Sequence, residues 1–123
     1  MALRIFLLGI GVFLLTLPMF YLSLGSPVIQ ALWWWDIPMH ILGGMWAGLI
    51  GAWFVVIAKK NPTLFECIVF ALYCGVAVEI LEFTAGYGES LFMHPALDVA
   101  KDFIMDAIGG FLAYRAVTLS TSV

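Results

Sequence analysis

The stretch from Asp36 to Ile57, DIPMHILGGMWAGLIGAWFVVI, opens on an aspartate, places a histidine one helical turn later, and then runs without a charge to its end. A hydrocarbon core about 30 Å thick needs about 20 apolar residues at a helical rise of about 1.5 Å. The stretch is therefore read as a membrane-spanning helix that carries its polar chemistry at one end. Three further stretches have the same length and character, so spans are expected at about residues 5–24, 36–57, 63–83 and 96–117. The fold class that follows is all-α, a four-helix transmembrane bundle forming a single integral membrane domain over residues 1–123.

Composition agrees. Of 123 residues, 64% are hydrophobic and 11% charged, against about 25% charged in soluble domains, and the mean hydropathy is +1.10. The four spans leave almost nothing for a soluble domain. Trp33, Trp34 and Trp35 precede the second helix, where tryptophan marks a membrane interface. No basic surface accompanies them, so base stacking and nucleic-acid partners are excluded. Cys67 and Cys74, seven residues apart on one helix, lie about 10 Å apart by helical rise and cannot pair with each other.

Local signals set the expected ends. Pro18 should kink the first helix, and Gly25-Ser26-Pro27 should break it. That helix also has small residues before Ser26, as a cleaved signal does, but its apolar core exceeds a signal's usual 7–15 residues. An uncleaved helix is expected. Asp36 is placed to cap the second helix, and Asn61-Pro62 to start the third with Asn as cap. The loop Gly86-Tyr87-Gly88-Glu89 follows the third, His94 reads as a loop residue, and Pro95 opens the fourth.

Along a four-helix path, Arg4, Lys59, Lys60 and Arg115 fall on one side and Lys101 on the other. The positive-inside rule then puts both termini in the cytoplasm. The same path sends Asp36, Glu79, Glu82, Glu89, Asp98, Asp102 and Asp106 to the outer side and leaves Glu66 inside.

Residues 36–44 and 102–110 share the frame D-x-x-M-(H/D)-x-x-G-G, with four identities in nine positions. The match suggests two parallel helical hairpins related by a pseudo-twofold along the membrane normal. In so biased an alphabet, chance accounts for it equally well.

Asp36 and His40 are spaced i,i+4, Glu79 and Glu82 i,i+3, and Asp98, Asp102 and Asp106 i,i+4,i+8, so each set shares one helical face. In lipid such a face must turn inward, and intramembrane ionisable groups usually mark a functional cavity. Asp106 lies about 12 Å deeper than Asp98 by helical rise. Gly44, Gly48 and Gly51, with Gly109 and Gly110, suit close helix packing and carry no chemistry of their own.

The embedded carboxylates face only Lys101 and a histidine or two as cations. They cannot all be ionised and unpaired, so the cluster must hold protons, bind a cation or stay hydrated. Oxygen ligands with one imidazole suit a divalent cation, yet no spacing here is a strong metal signature, and Glu-x-x-His, P-loop and His-Glu-x-x-His patterns are absent. The bland reading is also open: capping by Asp36, dipole complement by Asp98, and hydrogen bonding between helices by protonated Glu79 and Glu82.

The pattern Asp36-x-x-x-His40-x-x-Gly43-Gly44, Glu79-x-x-Glu82 and Asp98-x-x-x-Asp102-x-x-x-Asp106-x-x-Gly109-Gly110 resembles the VanZ-like and YjdF-like small bacterial membrane proteins. The likeness covers the second to fourth helices and is one of pattern and order. Ile37 stands where VanZ-like chains often carry Lys, and Glu82 and Asp106 where they often carry Gln and Asn. This chain is thus more acidic than VanZ-like proteins and closer to the YjdF-like version. The resemblance implies a multi-pass protein of the bacterial cytoplasmic membrane, with VanZ-like members linked to low-level resistance to glycopeptides such as teicoplanin. It brings no established catalytic chemistry.

Three functions are compatible with these residues. In the first, an outward-facing pocket binds a divalent cation and, through it, the head group of a membrane lipid or lipid-linked envelope precursor, with room for hydrolytic or transfer chemistry. Its metal ligands would be His40, Glu79, Glu82, Asp102 and Asp106, its base Glu79, Glu82 or His40, and its further ligand-binding residues Asp36, Asp98 and Lys101. In the second, the same acids relay protons or ions in a carrier. In the third, a non-catalytic binding or assembly protein uses them to hold its helices together. So small a bundle also admits a homo-oligomer that completes its pocket.

Overall fold

The computed structural model describes residues 1–30, 32, 34–85 and 94–121. They form α1 (Ala2–Gly25), the single turn α2 (Pro27–Gln30), α3 (Asp36–Ile57), α4 (Leu64–Ala85) and α5 (Pro95–Thr121), with no strand among the described residues. Four of these helices are long and apolar enough to cross a membrane. The protein is an all-α bundle of four spanning helices. Trp33 and the loop 86–89, Glu89 included, lie outside the described residues.

The ends of the helices follow local chemistry, in three places not the chemistry expected. α1 runs through Pro18 without interruption to Gly25. Ser26 before Pro27 is then extended, with φ −135° and ψ 106°, the conformation that a following proline ring enforces. At the start of α3, Asp36 is not the cap. It lies inside the first turn, Trp35 holds the cap position without a side-chain bond, and the Asp36 carboxylate is engaged across the bundle instead. At the start of α4 the cap is Thr63 rather than Asn61. Thr63 N–H donates to Glu66 Oε2 at 2.8 Å, and Glu66 N–H donates to Thr63 Oγ1 at 3.3 Å. This reciprocal capping box satisfies two backbone donors that Asn61 could not reach from two residues further out. At the start of α5, His94 is more than a loop residue: its Nδ1 accepts from Ala96 N–H at 3.3 Å, and its carbonyl accepts from Leu97 and Asp98.

α3 ends in a Schellman turn. Lys60 N–H donates to the Val55 carbonyl and Lys59 N–H to the Val56 carbonyl. Lys59 itself takes φ 58°, in the left-handed region usually left to glycine at this position.

α3 is the hub, packing on α1, α4 and α5. α3 and α5 run parallel, Asp36 level with Lys101 and Gly48 level with Ala113. Between them the glycines act as gaps. A Cβ on Gly44 would strike the Asp106 backbone, and one on Gly109 would strike the Ile41 carbonyl and the Met45 nitrogen. The two D-x-x-M frames therefore meet face to face. Beyond this central pair the twofold fails: α4 packs on both α3 and α5, whereas α1 packs on α3 and barely touches α5. The half of the bundle toward the termini is sealed by Ile5, Val12, Leu49, Ala52, Cys67, Ala113 and Val117, and Arg4 Nη1 donates to the Ser120 carbonyl at its edge. Cys67 and Cys74 are free thiols.

Candidate functional site

The polar residues gather where α3 and α5 begin and α4 ends. Two helical faces, set opposite each other by the Gly44 and Gly109 contacts, supply most of the site. His40 is 6% exposed, Asp102 and Asp106 each 3%, so these groups lie within protein rather than at its rim.

His40 has both ring nitrogens against carboxylates. Nδ1 lies 3.2 Å from Asp106 Oδ1. Nε2 lies 3.4 Å from Asp36 Oδ1 and 3.8 Å from Asp102 Oδ1. The ring is thus anchored on its deep side by one aspartate and turned toward two others on its shallow side.

Lys101 ties the mouth together. Its ammonium donates to Asp98 Oδ1 at 2.8 Å and to Asp36 Oδ2 at 3.0 Å, and stands 3.1 Å from Asp102 Oδ1. Three aspartates from two helices thus share one lysine, which no spacing within a single helix could reveal.

Among the described residues, Asp106 Oδ2 and Glu79 Oε1 are buried without a hydrogen-bond partner, and Asp102 Oδ1 has only its ion-pair contacts to Lys101 and His40. Asp106 Oδ2 occupies the space that a Cβ on Gly75 would fill, so this glycine in the middle of α4 is what admits the deepest carboxylate. Gly75 was not among the expected site residues. Its signal was a glycine four positions before Glu79 in a helix otherwise filled with larger side chains.

Among the described residues, one group brings a ligand atom from each of three side chains within 4.8 Å of one another: Asp36, His40 and Asp102. Of the five expected metal ligands, His40 and Asp102 belong to it. Asp106 reaches it through the far nitrogen of His40, while Glu79 and Glu82 stand on α4 outside it. Asp36, read as a ligand-binding residue, is the third member. Asp98 and Lys101 close the mouth above.

Oxygen, oxygen and imidazole nitrogen form a donor set suited to Zn²⁺, Mn²⁺ or Fe²⁺. A metal held by these three side chains would keep coordination positions for water or substrate oxygen.

Set against family models, curated proteins and solved structures, the chain matches none of them. Its chemistry must be read from its own residues.

Proposed function

We propose that the protein binds a divalent cation at Asp36, His40 and Asp102, and through it the phosphate-bearing head group of a membrane lipid or lipid-linked envelope precursor. The observation that carries this reading is the setting of His40. Nδ1 faces Asp106 at 3.2 Å while Nε2 faces Asp36 and Asp102. A carboxylate behind a ligating imidazole fixes its tautomer and aims its other nitrogen at the metal. Asp106 takes that supporting role, in place of a direct ligand.

Lys101 and the cation draw on the same carboxylates. In the apo protein the one ammonium is shared by Asp36, Asp98 and Asp102; a divalent ion would draw Asp36 and Asp102 away, leaving Nζ on Asp98 with donors to spare for a head-group phosphate. Glu79 and Glu82, on α4 beside the site, would serve as proton acceptors, and a bound cation would supply Lewis-acid activation of a water or substrate hydroxyl.

The site is one-sided. Beyond Asp106 the α3–α5 seam is closed by Gly44, Gly48, Gly110 and Ala113, backed by Cys67 and Ala71, with no carboxylate in the seam to hand a proton on. This favours a pocket over a through-membrane relay. Arg4, Lys59, Lys60 and Arg115 lie toward the opposite end of the bundle, so positive-inside orientation turns the pocket outward. A place in a bacterial cytoplasmic membrane, and a role in the envelope akin to that of VanZ-like proteins, accord with that orientation and with the residue pattern.

Metal analysis of protein purified without chelator tests the reading. One equivalent of a transition metal is expected, falling to background in His40→Ala and Asp102→Asn variants that keep their helical content. Wild-type protein without stoichiometric metal, and unable to take it up on titration, would sink the proposal.

A further inference from the structure

A groove runs along the outside of the bundle between α1 and α3. Its walls are Phe13, Thr16, Leu17 and Phe20 of α1 with Gly43 and Trp46 of α3, and its volume is about 250 Å³. Thr16 does not make it polar: the hydroxyl donates to the Val12 carbonyl of its own helix at 2.7 Å, leaving the methyl group to the groove. Phe13 and Trp46 stiffen one side, their ring centroids 5.5 Å apart. Gly43 opens the floor, since a Cβ there would meet nothing within 4 Å.

The groove lies in the spanning part of both helices, so hydrocarbon is the medium around it. It also lies near the polar site along α3. Gly43 follows His40 by three residues on α3, about 4.5 Å along the axis. Above it α1 is pinned to the start of α3, where Trp35 Nε1 donates to Ser23 Oγ at 2.7 Å. We infer that the groove holds an acyl chain of the lipid whose head group enters the site formed by Asp36, His40 and Asp102. This rests on the head-group reading above and specifies it: the ligand is recognised at the membrane, tail and head together, rather than as a soluble phosphate. A furrow of similar volume, about 270 Å³, is lined by Val69, Leu72, Tyr73 and Val76 of α4 alone. Walled by a single helix, with no second helix to enclose a chain, it serves as the reference for ordinary surrounding lipid.

The test is photolabelling of the full chain in vesicles of phosphatidylglycerol carrying a diazirine in mid-chain, with the labelled residues mapped by mass spectrometry and metal content measured on the same preparation. Labelling of Phe13, Leu17, Phe20 and Trp46 is expected to exceed that of Val69, Tyr73 and Val76 severalfold. Gly43→Leu, which fills the floor, should bring it down to the level of the α4 furrow without loss of metal. Equal labelling of groove and furrow in the wild type, or a label indifferent to Gly43→Leu, overturns the inference. So does a groove shielded by a second copy of the chain, seen as cross-linking between Leu17→Cys chains in place of lipid label. Preferential groove labelling in protein without metal would instead retain the acyl site and remove the cation reading.

Discussion

His40 on α3 and Asp106 on α5 meet across the bundle, Nδ1 3.2 Å from Oδ1, where the two D-x-x-M frames face each other. The pair joins the fold to the chemistry: it holds the central helices together and sets the direction of the other ring nitrogen. Asp106→Asn keeps the size and one acceptor but removes the charge. Metal affinity should fall by about 10- to 100-fold, the usual effect of losing a supporting carboxylate, with helical content unchanged. Isothermal titration of the detergent-solubilised variant checks this.

Lys101 supplies the counter-charge for Asp36, Asp98 and Asp102, and its side chain is 13% exposed. Lys101→Met leaves three aspartates without their shared cation, and with Asp36 a third exposed the cost falls below the ~3–5 kcal/mol of a fully buried pair. A bound cation should offset much of that loss. Thermal unfolding in detergent should therefore show a larger rise in Tm on adding metal for the variant than for the wild type. Equal rises would mean that lysine and metal do not share carboxylates.

Gly75 and Gly43 separate the effects of space and helix propensity. A Cβ on Gly75 would overlap Asp106 Oδ2, whereas one on Gly43 meets nothing. Gly75→Ala should destabilise by about 1–3 kcal/mol through overpacking and weaken metal binding by shifting Asp106. Gly43→Ala should be neutral or stabilising by up to about 1 kcal/mol, since alanine is the better helix former. Chemical unfolding of the two variants side by side measures the difference.

Lys59 occupies the left-handed position of the turn after α3 with φ 58°. Lys59→Gly removes the steric penalty of a Cβ there and should raise stability by about 0.5–1 kcal/mol, without effect on metal content. A loss of stability would show that the lysine charge at this end of the bundle outweighs the strain of the turn.

Much of this protein is local information. The four spans, the break at Ser26-Pro27 and the grouping of Asp36 with His40 and of Asp98, Asp102 and Asp106 depend only on helical rise and period, which neighbouring residues in the chain set by themselves. The same local reading misplaced two caps. Asn61 and Asp36 are good capping residues, but Thr63 with Glu66 satisfies two donors at once, and Asp36 gains more from Lys101 across the bundle and from His40 one turn on along its own helix.

Helical rise and period, read from the order of residues alone, settle which residues share a face and how deep each lies. Tertiary structure alone decided which faces meet. Helical period gives every helix a polar stripe but leaves its rotation about its own axis free. That rotation was fixed by close approach at Gly44, Gly109 and Gly75, where backbone and carboxylate occupy space that any side chain would deny them. Hence Asp36, His40 and Asp102 converge, Asp106 stands behind the imidazole, and Glu79 and Glu82 remain at the edge, although spacing had given all of these acids equal standing.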